Sequence, residues 1–480
     1  SIASGGNYNV VIGDEAGTAL TTGDNNVAIG FEALKTEDAN GNNVAVGYQS
    51  LKTQDAGADA YNVAIGHTAG TALTSGIRAT ILGGRAGANL TDADFNTAIG
   101  EQALNTDTKG NKSTAVGQGS LATQNFTTST DSHNTAVGWY SGVSVTTGTR
   151  NTLIGSGAGD AITTGNQNTI MGEGAGTALT DADYNVVFGR AALPADTLGS
   201  RSTAIGYNTL ANQNFTTATN ANNVAVGYET GAGITTGIDN VLIGTQAGDA
   251  LTDADFNVAV GKVALTTDTL GSRSTAIGHG ALNQQNFTTA TDNYNVAVGY
   301  HAGVNCTTGT DNTLVGGVAG DALTTGSRNT ALGYHALGGD DVGSYTVAVG
   351  FSALSSQNFS TATNSLNTAV GYIAGSGVTT GVNNTYIGGV SGKDATTGAR
   401  NTALGNYSGA SDQNSSGGSG DDNVWIGHQA GMKSSSASDN VAIGSFAGDA
   451  LTTGSLNVAV GYSALSTEDA NDGNVAVGYK

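Results

Sequence analysis

A five-residue unit, polar–apolar–small–apolar–glycine, recurs along the whole chain. It reads Asn26-Val27-Ala28-Ile29-Gly30, then Asn43 to Gly47, Asn223 to Gly227, Asn295 to Gly299 and Asn474 to Gly478. With Thr allowed for the first Val, other apolar residues for the second, and some variation at the Asn and Ala positions, there are 27 copies between Gly13 and Gly478. Of the 26 gaps between their glycines, 20 are 17 residues, four are 21, one is 19 and one is 22. A fixed period of this size marks a stacked solenoid rather than a set of globular domains.

Side chains alternate across a strand. Val27 and Ile29 therefore share one face and Ala28 takes the other. A strand apolar on both faces is buried on both. The branched residues are expected to pack the inside of the coil. The small face, Ala in 18 of 27 copies, is then left to meet another chain closely. Ala28, Ala45, Ala98, Ala225 and Ala297 are on this expectation the contact between subunits.

One coil runs from Asn9 to Asn25. Asn-Val-Val-Ile-Gly predicts a first strand, Asp14 to Gly17 a turn, Thr18 to Thr22 a second strand, and Gly23-Asp24-Asn25 the return. Two strands of about five residues with two short turns account for the repeat. Gly and Asn at the corners supply positive φ. Asn opens 22 of the 27 copies, and stacked Asn side chains can hydrogen-bond along the column. Ser113, Ser202, Ser274 and Thr346 break that rule, each in the coil just before a 21-residue gap.

The long gaps follow Gly117, Gly206, Gly278 and Gly350, and the last three, 72 residues apart, reveal a second period, of four coils. Their insertions carry one text: Gln124-Asn125-Phe126-Thr127-Thr128, Gln213-Asn214-Phe215-Thr216-Thr217, Gln285-Asn286-Phe287-Thr288-Thr289 and Gln357-Asn358-Phe359-Ser360-Thr361. The extra residues are expected to bulge sideways. This makes Asn125, Phe126, Asn214, Phe215, Asn286, Phe287, Asn358 and Phe359 the candidate lateral binding residues. The blander expectation is that each Phe folds back as a seal. One coil further on, the Ala position holds Leu153, Leu242, Leu314 or Tyr386, with Val11 and Ile81 continuing the spacing. These are expected to act as plugs that fix register at a shared axis.

The pattern loosens over about 408–438, where Gln413 to Gly420 and Lys433 to Ser438 have the composition of flexible loops. The repeat resumes at Asn440, so residues 1–480 are expected to form a single array, cut from a longer protein.

Charged residues are only 11% and the formal charge is −22. That disfavours nucleic acid, which requires a basic footprint, and keeps long assemblies apart in solution. Cys306 is the sole cysteine, which excludes an intrachain disulfide. No apolar run has membrane-spanning length, so no membrane insertion is expected.

Candidate chemistry is sparse. Five of the six histidines (His67, His279, His301, His335 and His428, but not His133) follow a strand glycine at a corner and read as surface turn residues. Asp-Ala-Asp at 92–94, 181–183 and 253–255 offers oxygen ligands for calcium, but as turns they need no ion. The adjacent threonines of the Thr-Thr-Gly pieces point opposite ways and form no flat ice-binding array. No nucleophile–base set departs from the repeat. No catalytic residue, metal or cofactor is expected.

The Asn-x-Val/Ala-Ile/Val-Gly strand followed by Ala or Gly resembles the head repeat of trimeric autotransporter adhesins. The Asn-Thr-Ala-Val-Gly-Tyr and Leu-Thr-Thr-Gly text also resembles repeat-rich bacteriophage tail fibres. The resemblance spans nearly the whole chain, though this coil is longer than the adhesin coil. It implies an all-β parallel β-roll, or β-solenoid, of about 27 coils with three chains around a common axis. It also implies an extracellular setting, on a virion fibre or a cell surface. At about 4.8 Å per layer the rod would be roughly 130 Å long. The expected role is the structural shaft of a trimeric fibre that presents a receptor-binding tip. The alternative is an adhesin whose lateral loops bind a host glycan or protein.

Overall fold

The computed structural model describes residues 5–410, 418–467 and 469–480. These residues form strands, bends and turns, and no helix. The architecture is the expected parallel β-solenoid of about 27 turns. It divides into two compact units, Ser1–Asp239 and Asn240–Lys480. In the first, Val27–Ile29 lies beside Val44–Val46 in parallel register, with Ala28 opposite Ala45. In the second, Val258–Val260 lies likewise beside Thr275–Ile277, with Ala259 opposite Ala276. Each layer contributes one three-residue strand.

The two faces of that strand are reversed from the expectation. Ala28, Ala45, Ala98, Ala225 and Ala297 are each 0% exposed within the single chain. Val27 and Ile29 are only half-buried, and Leu82, Phe188 and Leu332 are exposed. Coil width explains the reversal. The opposite wall comes so close that a strand methyl and one leucine fill the gap. The largest residues at the Ala position sit against glycines. A Cβ on Gly142 would lie 2.5 Å from Leu153 Cδ1, and one on Gly303 would lie 2.7 Å from Leu314 Cδ1. Ile81, Leu153, Leu242, Leu314 and Tyr386 are thus buried inside their own coils. They are not plugs at an axis between chains. Close-packed interiors do not tolerate spare volume or excess volume.

The second side of the coil is also not the expected strand. Thr18 to Thr22 forms turns bonded from layer to layer. Ala19 N–H donates to Lys35 O (3.1 Å) and Thr21 N–H to Asp38 O (2.7 Å). The threonine hydroxyls reinforce the column, as Thr21 Oγ1 does to Asp38 O and Thr307 Oγ1 to Thr324 O, both 3.0 Å. Recurrent left-handed residues explain the short extended runs. One coil places Glu32, Leu34 and Asn42 at φ of 55°, 49° and 64°. Of the loosened stretch, residues 411–417 lie outside the described residues. Lys433 to Ser438 forms an ordinary coil, not a loop. Ser435 Oγ takes the threonine's bond, to Thr452 O, and Ala437 is fully buried.

The asparagines form a buried column of a particular kind. Asn26 N–H donates to Asn9 Oδ1 (2.8 Å) and Asn43 N–H to Asn26 Oδ1 (3.0 Å). In the second unit Asn257 N–H donates to Asn240 Oδ1 (3.0 Å), and Asn329 N–H to Asn312 Oδ1 (3.0 Å). The amide NH₂ closes the coil across its width, as Asn62 Nδ2 does to Gly76 O (2.8 Å). Direct amide–amide bonds, such as Asn457 Nδ2 to Asn440 Oδ1 (3.1 Å), supplement this in some layers.

The glycine that ends a strand beneath another layer is required twice over. Gly138 has φ of +139°, and a Cβ there would sit 2.4 Å from Gly155 O in the next layer. Replacing Gly138 by Ala should therefore cost about 2–4 kcal/mol. Urea denaturation of the variant would show it as a lowered midpoint.

Candidate lateral loops and buried acid–amide pairs

The four insertions do not swing free. Each forms a two-residue strand paired with the preceding coil. Thr130–Asp131 pairs with Gly110–Asn111, and Thr219–Asn220 with Gly199–Ser200. Thr291–Asp292 pairs with Gly271–Ser272, and Thr363–Asn364 with Gly343–Ser344. Phe126, Phe215, Phe287 and Phe359 are only 5–6% exposed. The Phe126 ring lies over Gly110, where an added Cβ would be 2.8 Å from Phe126 Cδ2. Asn214 and Asn358 are exposed, whereas Asn125 and Asn286 are half-buried. Asn125 Oδ1 accepts from Thr108 Oγ1 (3.2 Å), and Asn214 Oδ1 from Thr197 Oγ1 (3.1 Å). What each insertion offers to solvent is its tip, Thr127-Thr128-Ser129 and its counterparts.

Beneath each phenylalanine lies a buried network. Asp107 Oδ1 accepts from Phe126 N–H (3.0 Å) and Gly110 N–H (3.1 Å). Its Oδ2 accepts from Gln124 Nε2 (2.6 Å), which also donates to Ser113 Oγ (2.8 Å). Gln124 Oε1 in turn accepts from Asn134 Nδ2 (2.9 Å). The arrangement recurs at Asp196–Gln213–Ser202, Asp268–Gln285–Ser274 and Asp340–Gln357–Thr346. The Ser and Thr exceptions in the Asn column thus present a hydroxyl acceptor to the glutamine. Burial pushes the carboxyl groups of Asp196 and Asp340 above the ordinary aspartate range, against the opposing pull of their hydrogen bonds. Sequence reasoning missed these aspartates. A signal was present: Asp196, Asp268 and Asp340 are 72 residues apart, each 17 before a glutamine.

The remaining candidates are dispersed. Asp92, Asp181 and Asp253 are exposed. Asp92 Oδ1 accepts from Ser75 Oγ (2.8 Å), and Asp181 Oδ1 from Thr164 Oγ1 (2.6 Å). Asp94 Oδ1 caps Ile77 N–H (2.9 Å). His279 stacks on Tyr300 and His301, and His67 on Tyr48. Cys306 replaces the core leucine, and burial pushes its thiol up to about 12. A thiol of that kind is protonated and inert at neutral pH.

Comparison with models of known protein families gives no match, and comparison with curated proteins gives none. Among the described residues, no helix is long and apolar enough to cross a membrane.

Two outcomes are expected. Asp196→Asn turns an acceptor into a donor facing Gln213 Nε2, and should cost about 1–3 kcal/mol. Adding Gln213→Glu restores complementarity and should recover most of that loss, a coupling that a double-mutant cycle of thermal melts would measure. Separately, Phe287→Ser should lower stability by about 3 kcal/mol. By differential scanning calorimetry, Thr288→Ala with Thr289→Ala at the exposed tip should leave the melting temperature unchanged.

Proposed function

We propose that the chain is the structural shaft of an extracellular fibre, built from three copies packed along the outward strand face, and that it has no catalytic role. One observation carries this reading. In all 27 three-residue strands the first outward position is Val or Thr and the second is Val, Ile, Leu, Met or Phe, with no charge at either. Each coil has already filled its core with the alanine face, so this second, uncharged face has no partner among the described residues. An uncharged face of this kind, with an apolar side chain in every layer of each unit, supports an interface between chains. It replaces the alanines as the contact between subunits. The number three rests on the resemblance to trimeric adhesin heads, and the fibre role on that resemblance together with the unvarying repeat.

A second reading, an adhesin that binds a host glycan or protein through its flanks, is favoured by the solvent-facing Thr tips and by the exposure of Asn214 and Asn358. Binding of host cells by the chain with and without its tips would distinguish it from a passive shaft.

The assembly is testable at the level of single faces. Val46→Glu with Val298→Glu puts charge on the outward face, where burial between chains costs several kcal/mol, about 3–5. Light scattering should then report a monomer whose circular dichroism is unchanged. Ala225→Glu points inward and should instead unfold its coil. A wild-type chain that is monomeric at micromolar concentration would overturn the proposal.

A further inference from the structure

The acid–amide pair occurs five times, and the first copy differs. Glu37 stands where Asp107 stands in the next copy, and Gln54 where Gln124 does. The outer bonds are kept: Glu37 Oε1 accepts from Asn40 N–H (3.2 Å), and Gln54 Oε1 accepts from Asn62 Nδ2 (2.8 Å). The central bond is lost. Glu37 Oε2 and Gln54 Nε2 are both buried without a partner. The coil opened by Asn43 is lengthened by two residues rather than four, so it brings no phenylalanine N–H to the acid.

The surroundings change in the same place. Asp107 is followed by Thr108 and is faced by Asn125, which bond to each other. Glu37 is followed by Asp38, and Asp55 takes the place of Asn125. Carboxylate oxygens of Glu37, Asp38 and Asp55 all lie within 4.8 Å of one another. Glu37 is 0% exposed, and the other two are exposed at the mouth. The lysines on either side are engaged elsewhere, since Lys35 and Lys52 both pair with Glu32. A fully buried acid with an orphan oxygen, beside two more carboxylates, lacks a positive charge.

We propose that Glu37, Asp38 and Asp55 bind one calcium ion. The donor set is oxygen only, which selects a hard cation over zinc or copper. Calcium accepts irregular geometry and a variable number of ligands, whereas magnesium demands a near-ideal octahedron and dehydrates reluctantly. Glu37 Oε2 is the inner ligand, Asp38 and Asp55 close the site from the solvent side, and water completes the shell. The ion neutralises the crowded carboxylates, so it stabilises the folded coil by mass action. With three carboxylates the affinity falls in the range of extracellular calcium modules, about 0.1–1 mM. The site is independent of the assembly face, and loss of either leaves the other standing.

The test is calcium titration of the full chain by calorimetry, with Tb³⁺ luminescence as a second probe. Expected are one ion per chain, tighter binding of Ca²⁺ than of Mg²⁺, and a melting temperature raised by millimolar Ca²⁺ and returned by chelation. Glu37→Gln and Asp55→Asn should each weaken binding tenfold or more, while Asp107→Asn leaves it unchanged. Asp55 is exposed, so its variant tests the site even if Glu37→Gln disturbs the coil. No binding at 10 mM Ca²⁺, or binding unaltered in both variants, overturns the proposal.

Discussion

Everything in this solenoid hangs on a backbone N–H at the start of each strand. A three-residue strand supplies too few hydrogen bonds of its own, and the N–H of the residue preceding it is buried. In most layers the asparagine one layer away supplies the acceptor through its side-chain carbonyl, as between Asn43 and Asn26, and after an insertion a nearer side chain does, as Asn293 Oδ1 does for Asn295 N–H. Left unsatisfied, each such donor would cost about 1–3 kcal/mol. The same side chain spends its NH₂ on the glycine carbonyl 14 residues ahead, as Asn62 does on Gly76. One residue type thereby ties layer to layer and fixes the circumference of the coil.

That second bond explains where the column must change. A coil opened by Ser113 is 21 residues long, and the carbonyl 14 residues ahead now belongs to the insertion. A hydroxyl bonded to Gln124 stands there instead. Asn43 opens a coil of intermediate length and keeps the asparagine. Its Nδ2 is buried without a partner, close in sequence to the orphan atoms of Gln54 and Glu37. The layer where the rule fails adds Asp55 to the Glu37 and Asp38 of the layer before it.

The parallel solenoid, its period and its four-coil superperiod were legible from spacing alone, because a fixed period lays one coil geometry on the next. The direction of the faces was not. Val27 and Ala28 are both apolar, so alternation gave two faces without saying which was inside. The deciding quantity is the distance to the opposite wall, and its trace in sequence is the covariation of Gly142 with Leu153 and of Gly303 with Leu314. The second strand was misread for a related reason. Threonines suit strands, but left-handed bends at residues such as Glu32 and Leu34 leave too little extended chain between corners. The phenylalanines were recognisable as special by their period. Their burial as seals was one of the two expectations, and what the spacing did not show was Asp107, the acid that accepts from the Phe126 N–H beneath the ring.

The acid–amide pairs also answer a problem that repetition creates. A stack of equal layers is degenerate: shifting one segment by a coil preserves nearly every strand pairing and every apolar contact. A buried polar group removes that freedom, because its partner exists in one register only. Sliding the coil of Gln213 by one layer would set its amide against a leucine-type core position and leave Asp196 buried without its donor. The pairs recur every four coils over most of the chain, so a slip of one, two or three layers is penalised at several of them together. The cost of burying Asp196 and Asp340, visible in their raised proton affinity, is then the counterpart of a unique register. An all-leucine core would be cheaper to fold and free to misalign.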